Sequence, residues 1–266
     1  MNISSDQCMA IEQLAVELAT LAGAEIQAAM SRQLMVDYKG DPGAFRDPVS
    51  EVDRNVETLI RARLAERFPG HGVLGEEMEA EAAGDIIWAV DPVDGTNNFI
   101  NGFPMFSASI GVLGQGRPIV GALWCSTSHL LRPGVYHGRP DGPLQFDGQP
   151  VVREVNPDVR RRLGGDPHGG SPKTPWDKRK TGSAALECAF VAAGLLQIAR
   201  FERPFIWDVA GGIALARAAG RMVLTRDRQQ WTDFDGFGAG GIARSWRQPI
   251  LIGERSAVEV ARSLYS

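Results

Sequence analysis

Ile86-Ile87-Trp88-Ala89-Val90-Asp91-Pro92-Val93-Asp94-Gly95-Thr96 passes from an apolar run into two carboxylates, a glycine and a threonine. The run Ile86–Val90 reads as a buried strand. Asp91 and Asp94 therefore leave a strand end together, with the Val93 carbonyl between them, and Gly95-Thr96 lets the chain turn closely into a following helix. Carboxylate and carbonyl oxygens suit a hard cation such as Mg²⁺, and backbone N–H groups at a helix start suit a phosphate. The same residues also describe a plain turn with Asp caps, so the hexapeptide needs company before it carries chemistry.

That company is present in Asp47-Pro48-Val49-Ser50-Glu51-Val52-Asp53, Gly75-Glu76-Glu77 and Trp207-Asp208-Val209-Ala210-Gly211-Gly212. Taken in order with Trp88–Phe99, these segments resemble the signature of the inositol monophosphatase family, and the resemblance runs from about Lys39 to Gly220. It implies an α/β (α+β) fold, a layered α-β-α-β-α sandwich of the inositol monophosphatase and fructose-bisphosphatase type. The expected organisation is a single unit, with residues 1–150 as the metal- and phosphate-binding half and 151–266 as the substrate side. Periodicity by itself reaches only as far as "α/β or α+β".

The resemblance also implies residue roles. Glu76, Asp91 and the Val93 carbonyl would hold one Mg²⁺, and Asp91, Asp94 and Asp208 a second, with a weaker third site sharing Glu76. Gly95 and Thr96 N–H groups would cradle the phosphate, while Asp53 and Thr96 would help take a proton from the attacking water, which the metal held by Glu76 activates. Glu77 is either a support or a solvated neighbour, and Asp47 supports its loop. Asp94, Gly182, Ser183 and Ala184 would face the substrate, and Glu202 its hydroxyls, although Glu202 stands one residue closer to Trp207 than the family pattern has it.

The expected activity is hydrolysis of a small phosphorylated polyol, inositol 1-phosphate first, with inhibition by Li⁺ and a homodimeric assembly. Histidinol phosphate, fructose bisphosphate and phosphoadenosine 3′-phosphate are alternatives that relatives handle with the same metal site. A non-enzymatic alternative is a regulatory protein that binds the transcription machinery or nucleic acid through Arg160–Lys180. A charge run of that kind is more often a solvated face.

Composition bounds these readings independently. With 266 residues, 44% of them hydrophobic, the chain can bury a large core. Its net charge of −4 disfavours nucleic acid as a default partner. Five carboxylates gathered from Asp53, Glu76, Asp91, Asp94 and Asp208 could stay ionised together only beside divalent cations. Cys8, Cys125 and Cys188 lack disulfide or metal spacing, and acidic Asp6, Glu12 and Glu17 stand where a signal peptide would be basic, so a cytoplasmic setting without membrane contact is expected. The four histidines have no zinc spacing, and no serine sits in a Gly-x-Ser-x-Gly elbow. Aspartyl-phosphate chemistry fits poorly too, because its paired aspartates are two apart and Asp91 and Asp94 are three.

Along the chain, Ile11, Leu14, Ala15, Leu18, Leu21 and Ala22 recur at helical spacing, and Ser50 with Asp53 has capping-box character ahead of a second helix. Asp53 therefore has a purely structural reading as a cap. Ser107–Leu113 and Pro118–Trp124 read as strands joined by Gly114–Arg117, with further short strands at Val135–Gly138 and Gln145–Gln149. From Val151 to Lys180 the pattern fails, and the stretch reads as basic and loop-rich. Ser183 caps an Ala-rich helix that runs to Gly194, and the last expected element is the helix opening near Trp207-Asp208, where Asp208 too could be only a cap.

Overall fold

The computed structural model describes residues 3–39, 48–78, 84–154, 156–166, 173–228, 230–238 and 244–265. Asp47 lies outside them. Helix α1 (Ser5–Ala29) starts from a reciprocal cap in which Ser4 Oγ accepts the Gln7 N–H and the Gln7 side chain accepts the Ser4 N–H. Its apolar stripe buries Ile11, Leu14, Ala15, Leu18, Ala22 and Ile26, while Leu21 sits at the edge of the stripe and is only half-buried. Strands β1 (Val36–Tyr38) and β2 (Pro48–Ser50) pair antiparallel and lead into α2 (Glu51–Arg67), whose N-cap is Ser50 and whose capping-box partner is Asp53.

Next come β3 (Gly72–Gly75), β4 (Ile86–Asp94), the short α3 (Thr96–Ile100), β5 (Ser107–Gly114), β6 (Arg117–Cys125), β7 (Gly134–Gly138), β8 (Gln145–Phe146) and β9 (Gln149–Pro150). Strands β3 to β9 lie in chain order in one seven-stranded sheet, parallel at β3–β4 and antiparallel from there on. The meander follows from the tight hairpin at Gly114–Arg117, where Gln115 and Gly116 both have positive φ.

The remaining elements are β10 (Leu163–Gly165), β11 (Asp177–Arg179), α4 (Ala184–Ala192), β12 (Ile198–Phe201), α5 (Ile206–Ala218), β13 (Met222–Asp227), β14 (Gln230–Asp233), β15 (Ile250–Gly253) and α6 (Arg255–Leu264). They form a second, six-stranded sheet in the order β11-β10-β12-β15-β13-β14.

Three apolar clusters define the layers. Helices α1 and α2 pack on the outer face of the first sheet through Leu14, Leu18, Ile60, Trp88 and Ile110; α4 and α5 fill the space between the sheets through Leu186, Val191, Ile213 and Ile252; α6 covers the second sheet through Val258, Leu251 and Trp231. This is the α-β-α-β-α sandwich that the resemblance implied.

Two expectations are corrected. The stretch from Val151 to Lys180 contains β10 and β11, and α5 is followed by three more strands and a helix. Leu-Gly-Gly and Asp-Lys-Arg are too short to show a period, and Ile250-Leu251-Ile252 is buried throughout and shows no alternation.

Candidate active site

In a regular strand, residues three apart point to opposite faces, so Asp91 and Asp94 would be separated. Strand β4 avoids this with a bulge: Asp91 pairs with Ser109 and Asp94 with Ser107, so three steps on β4 oppose two on β5. Ser107 and Ser109 share a face, and the two aspartates therefore share it too. Pro92, which has no N–H to give the ladder, sits inside the bulge. Asp91 is buried, and one of its oxygens accepts the Val93 N–H at 3.1 Å. Burial, followed by repulsion from Glu76, Asp94, Asp208 and Asp53, pushes its carboxyl well above the usual range.

Asp94 points at the start of α4. Its Oδ2 accepts from Ser183 Oγ at 2.5 Å, the Ala185 N–H at 2.6 Å and Ser107 Oγ at 3.3 Å, and its Oδ1 accepts from the Ala184 N–H at 3.3 Å. Burial raises its pKa to about 6, although those hydrogen bonds pull the other way. Ser183 meanwhile caps α4 by accepting the Leu186 N–H, and Gly182 turns the chain at φ +82 against Asn98. Asn98 Nδ2 ties the turn down, donating to the carbonyls of Thr181 at 2.7 Å and Met105 at 2.6 Å. The three substrate-facing candidates Gly182, Ser183 and Ala184 are thus all beside Asp94.

Asp208 stands in the first turn of α5, where its Oδ2 accepts the Phe205 N–H at 2.8 Å, and Ser109 Oγ fixes the same turn by donating to the Trp207 carbonyl at 3.1 Å. Burial and then Asp94 push Asp208 well above the usual range. Its capping role is real, and so is its place among the carboxylates.

Glu76 follows β3. Lys39 Nζ donates to Glu76 at 2.8 Å and to Glu77 at 2.7 Å. Burial works against the Lys39 charge, but Glu76 and Glu77 outweigh it and the ammonium is stabilised. The Glu77 side chain is largely buried, so it is no solvated neighbour, and burial lifts its pKa to about 7. The loop carrying both glutamates is set by buried Glu57, which accepts the N–H groups of Glu77 at 2.8 Å and Met78 at 3.2 Å while paired to Arg61.

Asp53 serves two partners. Its Oδ2 accepts the Ser50 N–H at 2.9 Å and Ser50 Oγ at 2.5 Å, and its Oδ1 takes Thr96 Oγ1 at 3.0 Å. Thr96 Oγ1 also lies 2.8 Å from the Val93 carbonyl. Burial raises the Asp53 pKa. Gly95 enters α3 at φ +92, a left-handed geometry; an added Cβ would press on the Gly182 and Met105 carbonyls, each 3.2 Å away.

Glu76, Asp91, Asp94 and Asp208 are thus brought near enough to repel one another, with Asp53 beside them. Each leans on a protein donor, and no three acidic, histidine or cysteine side chains among the described residues converge as a finished cage. The donor set fits Mg²⁺ even so: it is all oxygen, and among the described residues Asp91, Asp94 and Asp208 have no ion-pair partner. Glu202 is not brought into this group. It pairs with Arg200 and lies 4.0 Å from Arg226. Lys39, Ser107 and Ser109 were not foreseen as site residues; the Ser-x-Ser alternation in an otherwise apolar strand is the one signal that marks the last two.

A model of the inositol monophosphatase family matches residues 9–258. The chain belongs to the inositol monophosphatase family. Among its relatives, a fructose-1,6-bisphosphatase/inositol-1-monophosphatase of Aquifex aeolicus is 30% identical over 77% of this chain and 81% of its own length. A chloroplastic phosphatase of Arabidopsis thaliana is 28% identical over 83% of this chain, which spans 64% of that longer protein. Among solved structures, the extragenic suppressor protein suhB from Bartonella henselae superposes with a TM-score of 0.74 at 26% identity, covering 96% of this chain and 98% of that one. An inositol monophosphatase family member with this donor set is a metal-dependent phosphate monoester hydrolase.

Proposed function

We propose that the protein hydrolyses the phosphate ester of a small phosphorylated polyol by attack of water, with inositol 1-phosphate as the reference substrate. The observation that carries this reading is the β4 bulge, which turns Asp91 and Asp94 to one face beside Glu76 and Asp208 with no cation paired to either aspartate among the described residues. Glu76, Asp91, Asp94, Asp208 and the Val93 carbonyl are the residues that would hold two or three Mg²⁺. Bound there, Mg²⁺ supplies charge neutralisation for the phosphate and lowers the pKa of water.

The chain's own residues do the rest. Thr96 Oγ1 lies within reach of two acceptors, so it can take a proton from the attacking water as its own proton passes to Asp53 Oδ1, leaving Thr96 neutral and Asp53 protonated. Asp53, lifted by burial, is the better base for it. The Gly95 and Thr96 amides orient the phosphate, and Ser183 and Ala184 hold Asp94 in place on the leaving-group side. Inhibition by Li⁺, a homodimer and a cytoplasmic setting belong to the same reading; among the described residues no helix is long and apolar enough to cross a membrane.

The test is phosphate release from inositol 1-phosphate with Mg²⁺ and with a chelator, in the wild type and in Asp91→Asn. Release should require the metal and fall by ~10²-fold or more in the variant. Undiminished release in metal-free protein would sink the reading.

A further inference from the structure

The edge of the site next to Asp208 carries two arginines, Arg244 and Arg247, that form no salt bridge with a carboxylate among the described residues. The Arg247 guanidinium carbon lies 3.3 Å from the centre of the Phe205 ring and 6.0 Å from that of Trp207, and Arg244 stands 5.4 Å over Trp207. Phe205 and Trp207 are themselves stacked, with centroids 4.7 Å apart and planes 18° from parallel. Neutral acceptors hold both guanidinium groups. Arg247 Nη1 donates to the carbonyls of Arg244 at 3.1 Å and Trp246 at 2.6 Å, and Arg244 Nη2 donates to those of Gly75 at 2.9 Å and Met78 at 3.1 Å.

The position is close to the chemistry on both sides. Phe205, under Arg247, gives its N–H to Asp208, and Gly75, which anchors Arg244, precedes Glu76. Arg203 and Arg244 both act on Arg247 as like charges, against the attraction of Asp208. Packing accounts for one arginine on an aromatic ring. It does not account for two on one aromatic pair with a third close by, all without a carboxylate partner among the described residues, in a chain of net charge −4. Arg200 and Arg226 show the contrast: Glu202 lies against both. That pairing also occupies the glutamate a neutral polyol would use.

We propose that Arg244 and Arg247 seat a second anionic group, a phosphate or carboxylate on the alcohol part of the substrate, so that the site favours doubly anionic phosphate esters over neutral polyol monophosphates. Planar guanidinium groups stacked on aromatic rings, each using only one of its nitrogens in the hydrogen bonds above, suit such oxyanions. This rests on the hydrolase reading above, with inositol 1-phosphate as the reference and not the optimum.

The experiment compares matched pairs in the full-length protein with Mg²⁺: fructose 1-phosphate against fructose 1,6-bisphosphate, and glycerol 2-phosphate against 2-phosphoglycerate. The doubly anionic member of each pair should have a kcat/KM about tenfold higher or more, carried by KM, and the ratio should shrink as salt rises. Arg247→Gln and Arg244→Gln should bring the ratio close to one, Arg247→Lys should keep part of it, and the exposed, distant Arg255→Gln should keep all of it. Melting curves identify any variant that fails to fold, and the salt series on the wild type stands without variants. Equal kcat/KM within both pairs, or a ratio that survives loss of both arginines in folded protein, overturns the proposal. Calorimetry with Ca²⁺ in place of Mg²⁺ separates the two readings: charge-selective binding with no phosphate release from any compound upholds the anion seat and overturns the hydrolase, whereas turnover indifferent to the second charge does the reverse.

Discussion

Asp53 holds a helix start with one carboxylate oxygen and the Thr96 hydroxyl with the other, and this division makes its capping and proposed catalytic roles separable. In Asp53→Asn the amide oxygen can still face Ser50 and accept its N–H and Oγ hydrogen bonds, so the capping box is kept. The amide nitrogen then faces Thr96 and donates where the carboxylate accepted. Melting should therefore stay within about 3 °C of the wild type, while kcat falls by ~10²-fold, in line with the loss of a general base. Thr96→Ala should lose a similar factor, and the double variant should be no worse than the poorer single one, because members of one relay act as a unit. Steady-state kinetics and melting on the three variants decide the matter; near wild-type turnover in Asp53→Asn removes the relay. The capping reading of Asp53 was visible in Ser50-x-x-Asp53, and the tie to Thr96 came only through the family resemblance. Nothing local to Asp91-Pro92-Val93-Asp94 except Pro92 announced the bulge, because bulging depends on the register with β5.

Helix α5 carries Asp208 at its start and lies against the first sheet with almost no side chain between. A Cβ at Gly111 of β5 would overlap the Gly211 nitrogen and Ala210, and one at Gly121 of β6 would overlap the Gly211 carbonyl oxygen. Backbone cannot yield as a flexible side chain does, so Gly111→Ala must push α5 off the sheet. The expected result is a loss of about 1–3 kcal/mol of stability, together with weaker Mg²⁺ binding, because Asp208 moves relative to Asp91 and Asp94. Chemical denaturation and Mg²⁺ calorimetry on Gly111→Ala test it; loss of stability with unchanged metal affinity would mean that α5 absorbs the clash away from its first turn. Elements of this kind differed in legibility. Helices α1 and α2 and the β5–β6 hairpin were readable because their periods and caps lie within a short window. Strands β10, β11, β12 and β15 run for three or four residues each and owe their existence to neighbours far along the chain, which no local period records.

At the scale of the molecule the site sets acid against base: four mutually repelling carboxylates in the middle and, at the rim, guanidinium groups that are held by carbonyls and form no salt bridge among the described residues. The carboxylates were legible because they sit in motifs near the chain's glycines, whereas Arg244 and Arg247 carry no motif and reach the site only through the fold. The acidic half makes a pH dependence whose sign can be worked out. Asp94 is raised to about 6 and Glu77 to about 7, and Asp91 and Asp208 stand well above the usual carboxylate range, in each case first through burial. Below the ordinary carboxylate range, near pH 4, these groups are protonated whether the chain is folded or not. As pH rises, the unfolded chain releases its protons first and the metal-free fold keeps them, so their contribution to stability is lost on passing through the raised values. A cation held by Asp91, Asp94 and Asp208 as proposed would replace their protons, so its binding should strengthen as they become easier to remove. The increase in melting temperature produced by a fixed Mg²⁺ concentration should accordingly be small at about pH 5 and larger by roughly 5 °C at about pH 8. Asp91→Asn, which removes one of the protonatable groups, should melt higher than the wild type in chelator at the upper pH and gain less from Mg²⁺. Taking the difference with and without metal at each pH cancels the titration of every carboxylate remote from the site. An Mg²⁺ increment that is the same at both ends of the range would show that the cation binds somewhere other than Asp91, Asp94 and Asp208.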